Sequence, residues 1–231
     1  MKPVVIMNPP RPDRAAVTAL GRLGVATVYE AAGRTGLLGS GLRPAWAGAR
    51  TAGTALTVLC APDDNLMVHV AVEQARPGDV LVVTTTAPSA AAFAGEPIVT
   101  ALIARQAHGL VTTTGVRDVP AITRAGFPVW SQSVSAAGAR SAAAGSVNVP
   151  VSIADVVVVP GDVVVADDDG VVCVPRLQAA QVAAEGRRRA ERAEAARLAL
   201  ARGEPPLDRY QLRPVVERLG IPYVSAAPEG T

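Results

Sequence analysis

Apolar residues recur at helical spacing in the first half of the chain and alternate with short β-branched runs. Helices are predicted over 14–24 and 66–76, because each segment has apolar positions three and four residues apart and ends near a Gly or Pro-Gly signal. The runs TALTVLC and DVLVVTT, bounded by turn residues, predict buried strands. The next elements are a helix over 97–107, a strand over 110–114, a helix over 119–125 and a strand over 127–133. This alternation predicts an α/β fold.

Beyond residue 148 the pattern changes to Val-rich runs with no helix between them. The runs are separated by the turn signals PG at 160–161 and DG at 169–170. We therefore expect a meander of antiparallel strands, which makes the sheet mixed. The acidic string DDDG at 167–170 favours a hairpin turn over a calcium loop, since it lacks the alternating ligands and distant glutamate of an EF-hand.

The C-terminal part of the chain predicts a long helix. Residues 177–202 are dense in Ala, Arg and Glu, contain no Pro, and stop before Gly203. We divide the chain into a main domain over 1–176 and a C-terminal helix and tail over 177–231, which we expect to contact other subunits. The small-residue segment 135–146 is predicted to be a loop, and its pattern indicates no function.

Composition and charge exclude several classes of protein. The chain has 231 residues, of which 49% are apolar and 18% charged, so a buried core is expected and disorder is not. A net charge of +2 provides no general field for nucleic acid, and no stretch is apolar enough for a membrane helix. The N-terminus lacks the pattern of a signal peptide. We therefore expect a cytoplasmic protein with no nucleic-acid or membrane partner.

The distribution of reactive side chains narrows the chemistry further. Lys2 is the only lysine, which argues against Schiff-base aldolases, pyridoxal-phosphate enzymes and P-loop proteins. Cys60 and Cys173 lie in apolar runs without CxxC spacing, which predicts buried thiols. His69 lies in an apolar helix and His108 precedes a glycine, positions that favour structural roles over catalytic ones.

The first candidate loop precedes the predicted helix over 97–107. Gly95 and Glu96 stand before Pro97, a residue suited to the first turn of a helix. The backbone N–H groups of Ile98 and Val99 are therefore predicted to form an anion cradle beside a flexible glycine. Gly95, Glu96 and Ile98 are candidate substrate-binding residues.

The second candidate loop follows the strand over 110–114 and contains Arg117 and Asp118. One helix and one strand separate it from Glu96, so the two loops can meet at one edge of the sheet, where α/β proteins bind ligands. Arg117 can bind a carboxylate through two N–H groups, and Asp118 is an oxygen ligand suited to Mg²⁺ or Mn²⁺. An adjacent Arg-Asp pair is also common as a plain surface ion pair, and spacing alone leaves both interpretations open.

These residues, with several longer strings, resemble the class II pyruvate aldolases that cleave 4-hydroxy-4-methyl-2-oxoglutarate or 4-carboxy-4-hydroxy-2-oxoadipate, and the related RraA-like proteins. The strings that carry the resemblance are TAGTALTV (51–58), DNLMVHVAVEQARPGDVLVV (64–83), GE (95–96), HGLVTTTGVRD (108–118), GFPVW (126–130), PGDVVVADDDGVVCVP (160–175) and, more weakly, LDRYQLRPVVERLGIPYV (207–224). The resemblance implies an αββα-type layered fold with residues 1–176 as an RraA-like catalytic domain, assembled as trimers or hexamers.

The resemblance also implies roles for individual residues. Asp118 would bind Mg²⁺ or Mn²⁺ directly, Glu96 would hold a metal-bound water, and Arg117 would bind the keto acid and stabilise an enolate. An acidic residue from a neighbouring subunit's late helix, with Glu191 and Glu194 as candidates, would lie near the metal. The chain differs from many members in having Glu96 for Asp and two threonines, at 113–114, for Asp-Gly.

The expected function is therefore divalent-metal-dependent retro-aldol cleavage of a 4-hydroxy-2-oxo acid to give pyruvate, with oxaloacetate decarboxylation as a side activity. The chemistry agrees, because the enolate left by cleavage needs a lysine iminium or a metal with a cationic donor. The alternative function is that of a non-catalytic RraA-type regulator that binds a ribonuclease or helicase.

Overall fold

The computed structural model describes residues 2–224. Its helices are α1 (Arg14–Leu23), α2 (Val25–Ala31), α3 (Leu66–Gln74), α4 (Glu96–Ala104), α5 (Val119–Ala125), α6 (Ala179–Ala201), α7 (Pro206–Arg209) and α8 (Arg213–Arg218). Its strands are β1 (Arg43–Pro44), β2 (Thr51–Cys60), β3 (Asp79–Thr85), β4 (Ala92–Ala94), β5 (Gly109–Val116), β6 (Val129–Val134), β7 (Ser146–Val147), β8 (Val151–Ile153), β9 (Val156–Val158), β10 (Val163–Asp167) and β11 (Gly170–Val174).

The main sheet is mixed. Its strand order is β1-β6-β5-β3-β2-β10-β11, and strands β4 and β7 pair with β5 and β2. The strands β6, β5, β3 and β2 run parallel, as expected for strands joined by the crossover helices α3, α4 and α5. The β10–β11 hairpin continues the sheet antiparallel to β2. The mixed α/β fold with a long C-terminal helix is confirmed.

The helices cover one face of this sheet. Leu81 and Val83 of β3 pack in the same cluster as the buried residues of α3, α4 and α5. On the hairpin side of the same face, Val163 and Val165 pack against α1, α2 and the beginning of α6. Alternate residues such as Val82 point to the opposite face, which β8 and β9 cover. The site loops are therefore held by strands that are buried on both faces.

The predicted meander is only partly correct. The β10–β11 hairpin forms with the DDDG string at its turn, and Asp168 accepts the N–H of Gly48 at 2.9 Å. Strand β9, however, pairs with β8 in a separate two-stranded sheet. This small sheet packs Ile153 and Val158 against the second face of the main sheet, opposite to the face that α3, α4 and α5 cover.

The chain divides into two compact units inside helix α6, between Arg187 and Arg188. Sequence analysis placed the domain boundary before this helix, between residues 176 and 177. The subunit contacts expected of the C-terminal part stay a prediction.

No helix between residues 2 and 224 combines the length and apolarity needed to cross a membrane. Helix α2 and strand β4 had no sequence signal strong enough to predict them.

Helix α4 offers a matched test of core packing. Leu102 is fully buried, whereas Ile103 beside it is 43% exposed. We expect Leu102→Ala to lower the free energy of unfolding by about 2–5 kcal/mol because it leaves a cavity in the α4–sheet core. Ile103→Ala should change it by no more than about 0.5 kcal/mol. Urea denaturation of both variants measures the difference, and equal losses would show that α4 does not pack as described.

Candidate active site

The candidate active site forms where strands β4 and β5 end side by side. These strands are parallel, with Ala92 opposite Gly115 and Ala94 opposite Val116. The loop after β4 and the loop after β5 therefore leave the sheet at the same edge, the carboxyl edge at which open α/β sheets bind ligands. The two loops meet, as their spacing along the sequence indicated.

Two hydrogen bonds join the loops. The N–H of Arg117 donates to the carbonyl of Ala94 at 3.0 Å, which extends the strand pairing by one residue. The N–H of Glu96 donates to Oδ2 of Asp118, also at 3.0 Å. Because Glu96 is the first residue of α4, its N–H has no intrahelical partner, and the carboxylate of the other loop satisfies it. This bond fixes Asp118 at the beginning of α4.

A bulge in β5 turns the chain just before the site. Thr112 pairs with Ser131 and Gly115 pairs with Ser133, so β5 has one more residue than β6 between these pairs. The hydroxyl groups of the threonines at the bulge form hydrogen bonds with neighbouring threonines. Thr112 Oγ1 lies 2.7 Å from Thr114 Oγ1, and Thr113 Oγ1 lies 3.0 Å from Thr84 Oγ1. Thr113 and Thr114 are therefore part of the strand's hydrogen bonding.

Asp118 has an unusual backbone conformation. Its φ and ψ angles of 60° and 32° are left-handed, a conformation that Asp and Asn adopt more readily than most residues. Its carbonyl accepts the N–H groups of Ala121 and Ile122 at the beginning of α5. Its side chain is thereby left to face Glu96 rather than to cap its own helix. Strained backbone of this kind is concentrated at functional sites.

The Arg117–Asp118 ion pair contributes little to stability. Arg117 Nε lies 3.8 Å from Asp118 Oδ2, and the two side chains are 48% and 39% exposed. Exposed ion pairs at such distances are worth at most about 1 kcal/mol. Both charged groups are therefore available to a ligand.

Gly95 allows the two loops to approach this closely. A Cβ atom at position 95 would lie 2.4 Å from Asp118 Oδ2 and 3.0 Å from Arg117 Cγ. Real Cβ atoms do not approach other atoms so closely, so any side chain here would displace Arg117 or Asp118. The glycine predicted as a flexible neighbour of an anion cradle instead provides space for the charged pair.

The resulting cleft, called the Glu96 cleft, has two carboxylates and one guanidinium in its wall. Its lining residues are Glu96, Pro97, Arg117, Asp118, Val119, Pro120, Val134, Ser135 and Ala136. Mg²⁺ commonly binds proteins through one or two carboxylates and keeps several waters. Asp118 and Glu96 therefore fit such an ion, although no three His, Cys, Asp or Glu side chains in residues 2–224 converge as a complete metal site.

The candidates on the late helix have a different environment. Glu194 forms an ion pair with Arg197, with Arg197 Nε 2.8 Å from one of its carboxylate oxygens. The hydrogen bond from Arg197 lowers the pKa of Glu194. Glu191 and Glu194 lie in the second compact unit, and their contribution to a neighbouring subunit's site stays a prediction.

The predicted anion cradle is wrong in one part. The N–H of Val99 donates to the carbonyl of Gly95 at 3.1 Å, as in a regular helix, and is not free for a ligand. Pro97 has no N–H, and that of Glu96 is bonded to Asp118. Ile98 is left as the donor of the first turn, and its role in substrate binding stays a prediction.

A second cleft, called the His69 cleft, also has Arg117 in its wall. Helix α3, the end of β4 and residues 138–141 enclose it, and its lining includes Asn65, His69, Gly138 and Ser141 as well as Arg117. His69 is exposed in it rather than packed in the core. Sequence analysis favoured a structural role for His69 and assigned no function to 135–146, because neither local pattern shows which residues lie across the fold.

Asp64 anchors the segment that closes the His69 cleft. Its carboxylate is 5% exposed and accepts N–H groups from Leu66, Ala142 and Ala143 at 3.0, 2.7 and 2.9 Å. Burial alone would raise the pKa of Asp64, but these three hydrogen bonds and the charge of Arg140 outweigh burial and lower it. The anchor holds the beginning of α3 against residues 142–143.

Cys60, Cys173 and His108 have environments that favour structural roles. Burial, with a smaller contribution from the charge of Asp64, raises the pKa of Cys60 to about 12. Burial and Asp162 raise that of Cys173 in the same direction. Both thiols are buried, as predicted, and neither is a nucleophile at neutral pH. His108 has its Nδ1 2.9 Å from the carbonyl of Ala52, which agrees with a structural role.

The fold and the site together define a mixed α/β protein in which an arginine and two carboxylates meet at the carboxyl edge of the sheet. A family model described as RraA-like, Aldolase/RraA, matches residues 25–173. Because this match covers more than half of the 231 residues, the chain belongs to the RraA-like family.

Individual relatives agree with this assignment. The chain is 30% identical over 141 residues to a protein of Halalkalibacterium halodurans named "Putative 4-hydroxy-4-methyl-2-oxoglutarate aldolase", covering 61% of this chain and 67% of that protein. It is also 30% identical to Streptomyces coelicolor RraAS2, described as an unusual member of the RNase ES inhibitor RraA protein family. The two structures match with a TM-score of 0.74 over 82% of this chain and 99% of that one. An uncharacterised Pseudomonas syringae protein shares the fold, with a TM-score of 0.78 at 22% identity, over 87% of this chain and all of that one.

The Asp64 anchor gives a pH-dependent prediction. A carboxyl whose pKa is below its ordinary value of 3.8 in the folded state stabilises the fold above that pH, and this stabilisation is lost as the pH falls through the folded-state pKa. Asp64→Asn should therefore lower the free energy of unfolding by about 1–2 kcal/mol at pH 7 and by less at pH 3.

Urea denaturation at the two pH values measures this difference. Asp63→Asn is the control, because Asp63 is the exposed neighbour and its bond to Ser89 can be kept by an amide oxygen. A loss for Asp64→Asn that is equal at both pH values would contradict the role given to its charge.

Proposed function

We propose that this protein catalyses divalent-metal-dependent retro-aldol cleavage of a 4-hydroxy-2-oxo acid, such as 4-hydroxy-4-methyl-2-oxoglutarate or 4-carboxy-4-hydroxy-2-oxoadipate, and releases pyruvate. The observation that supports this most is the hydrogen bond from the N–H of Glu96 to Asp118, because it puts two carboxylates and the guanidinium of Arg117 in one cleft. The similarity to the Halalkalibacterium relative supports the choice of substrate class.

The reaction breaks the bond between C3 and C4 of the substrate. The C4 hydroxyl loses its proton and becomes a carbonyl, and the electron pair of the C3–C4 bond moves to C3 and the C2 carbonyl. Pyruvate enolate results, and a proton delivered to C3 gives pyruvate. The transition state therefore places negative charge on the C2 oxygen, where a pre-oriented cationic donor stabilises it most.

The residues of the Glu96 cleft have different roles in this reaction. Arg117 presents a planar set of N–H donors that fits the substrate carboxylate and the developing enolate oxygen. Asp118 would hold Mg²⁺ or Mn²⁺ directly and Glu96 would hold it through water. A bound divalent cation supplies Lewis-acid polarisation of the C2 carbonyl. Asp118 is held for this role by its left-handed backbone and by the N–H of Glu96.

The alternative route to enolate stabilisation, an iminium on lysine, has no suitable residue. The sequence contains a single lysine, Lys2, which is exposed in the N-terminal segment. Decarboxylation of oxaloacetate passes through the same pyruvate enolate, so we expect it as a side activity of the same residues.

A second candidate function is binding to a ribonuclease without catalysis, and the similarity to Streptomyces coelicolor RraAS2 favours it. The two functions differ in what they require of the site. An aldolase depends on the charges of Arg117 and Asp118 and on the metal, whereas a non-catalytic regulator releases no pyruvate. A coupled assay for pyruvate, with and without a chelator, separates them.

Removal of either charged group should greatly reduce turnover. We expect Arg117→Ala and Asp118→Asn to lower kcat for pyruvate release by about 10²–10³-fold, the usual cost of losing one group that stabilises developing charge. Chelator should have the same effect on the unaltered protein, and Mg²⁺ or Mn²⁺ should reverse it.

Arg124→Ala is the matched control for the Arg117 variant, because Arg124 is an exposed arginine at the other end of the short helix α5. Its pyruvate release should stay within about twofold of the unaltered rate. Circular dichroism and urea denaturation verify that all variants fold. Unchanged turnover in the Arg117 or Asp118 variant would refute the proposed function.

Gly95→Ala tests the geometry of the pair rather than its charge. The added Cβ would lie 2.4 Å from Asp118 Oδ2, so the carboxylate must move, and we expect kcat/KM for pyruvate release to fall by at least about tenfold. At Gly41 an added Cβ meets nothing closer than 3.7 Å, so Gly41→Ala serves as the glycine control. Equal kcat/KM values for the two variants would contradict the packing described for Gly95.

A further inference from the structure

A further cleft, called the Arg14 cleft, lies at the amino edge of the main sheet, where the parallel strands begin. It is lined by α1 and the segment before it, by the first half of β2, and by the turns that precede β3 and β5. The Glu96 cleft lies at the other end of β5, whose eight residues span roughly 20 Å at about 3.3 Å per residue. A ligand in the Arg14 cleft therefore does not touch the candidate active site.

The charges of the Arg14 cleft suit an anion. Its ionisable side chains are those of Arg11, Arg14 and His108, and none of the described residues that line it is acidic. The exposed guanidinium of Arg14 forms no hydrogen bond or ion pair with any residue between 2 and 224. Asp13, its acidic neighbour in the sequence, accepts the N–H of Ala15 instead. Arg14 is therefore available to an anionic ligand.

Arg11 is held at this cleft by a buried carboxylate. Its Nη2 lies 2.6 Å from Oδ1 of Asp79, a side chain that is 3% exposed. The other oxygen, Asp79 Oδ2, accepts the N–H of Arg76 at 2.9 Å, so the carboxylate is fixed in place. A guanidinium has five N–H donors, and the ion pair with Asp79 leaves several of them for a ligand.

Two further side chains add polar groups to the lining. His108 Nδ1 lies 2.9 Å from the carbonyl of Ala52, which can only accept, so Nδ1 donates there and Nε2 is left for a ligand. Thr54 is 6% exposed, and its hydroxyl forms no hydrogen bond within the described part of the chain. A nearly buried hydroxyl without a partner is unfavourable, and a polar ligand in the cleft would satisfy it.

Gln106 occupies a position that glycine would fill at a lower cost. It follows α4 with a left-handed φ of 57°, and the N–H of Ala107 donates back to the carbonyl of Leu102 at 3.0 Å. Helices that end in this way usually have Gly at the left-handed residue, because a Cβ atom is unfavourable there. Gln106 lines the Arg14 cleft, and its amide group forms no hydrogen bond with a described residue. A glutamine at this position favours a role for its amide group in the cleft.

The size and lining of the cleft narrow the class of anion. Its volume of about 570 Å³ is within the roughly 300–1,000 Å³ of pockets for small organic molecules, so a simple inorganic anion would fill only part of it. The neutral polar groups of Thr54 and Gln106 suit the hydroxyl groups of a sugar. None of the described lining residues is aromatic, so the cleft has no stacking surface for a nucleobase.

We propose that the Arg14 cleft is a binding site for a sugar phosphate, with the phosphate group between Arg11 and Arg14 and the sugar against Thr54 and Gln106. A phosphate ester has a charge of about −1.5 to −2 at pH 7 and three acceptor oxygens, so it can occupy both guanidinium groups at once. This site is separate from the proposed aldolase reaction and does not depend on it.

Three probes test the class of ligand by calorimetric titration in the presence of a chelator, which removes any metal-mediated binding. Ribose 5-phosphate and ribose differ only in the phosphate group, and ribose 5-phosphate should bind at least about tenfold more tightly. AMP has the same phosphate and ribose with an added base, and it should bind no more tightly than ribose 5-phosphate.

Substitution of Arg14 tests the place of binding. Arg14→Ala should weaken the binding of ribose 5-phosphate by at least about tenfold. Arg22→Ala is the matched control, because Arg22 is an exposed arginine at the other end of α1 that does not line the cleft, and it should keep the affinity within about twofold. Arg117→Ala should also keep this affinity, since Arg117 lies at the opposite edge of the sheet.

Gln106→Gly separates a binding role from a structural one. Glycine adopts the left-handed conformation freely, so the urea midpoint should rise, whereas the affinity for ribose 5-phosphate should fall by several-fold. A residue with only a structural role would change the midpoint and leave the affinity as it was.

Four results would overturn the proposal. The first two are no binding of ribose 5-phosphate at millimolar concentration and equal binding of ribose 5-phosphate and ribose. The third is a loss of affinity in Arg117→Ala with none in Arg14→Ala, which would place the phosphate in the candidate active site. Tighter binding of AMP than of ribose 5-phosphate would show that the ligand class is wrong.

Discussion

The parallel pairing of β4 with β5 is the constraint on which the candidate site depends. It makes two loops that are twenty residues apart leave the sheet side by side, and the hydrogen bond from the N–H of Glu96 to Asp118 then joins them. That single bond satisfies a free donor at the beginning of α4 and orients a carboxylate without an extra side chain. The site is therefore assembled from main-chain geometry and a single carboxylate oxygen, Oδ2 of Asp118, and the guanidinium of Arg117 stays available to a ligand.

Arg117 has a central position in this arrangement. Its exposed side chain lines both the Glu96 cleft and the His69 cleft, and the glycines at 95 and 138 leave space for it. Its ion pair with Asp118 contributes little to stability, so the guanidinium is available to a ligand.

Much of the fold could be predicted from the sequence, because hydrophobic period and turn residues act locally. The helix over 119–125 matches α5, and the strand DVLVVTT matches β3. Strand β4 had no signal, since its three residues are too few to show a pattern and their pairing with β5 and with the 137–139 segment is set by distant parts of the chain. Strand β9 was assigned the wrong neighbour, because Val-rich runs do not specify which strand they pair with.

The sequence alone determined the α/β class, the absence of an interior lysine and the three charged residues that the family resemblance singles out, since each of these is written in residue type and spacing. Only the tertiary structure decided that Val99 is not a free donor, that Gly95 and Gly138 flank Arg117, and that His69 faces a cleft. Those features depend on contacts between segments that are far apart in the chain, such as α3 and residues 138–141. Long-range packing of this kind is set by the balance of the whole fold and leaves no local pattern to detect.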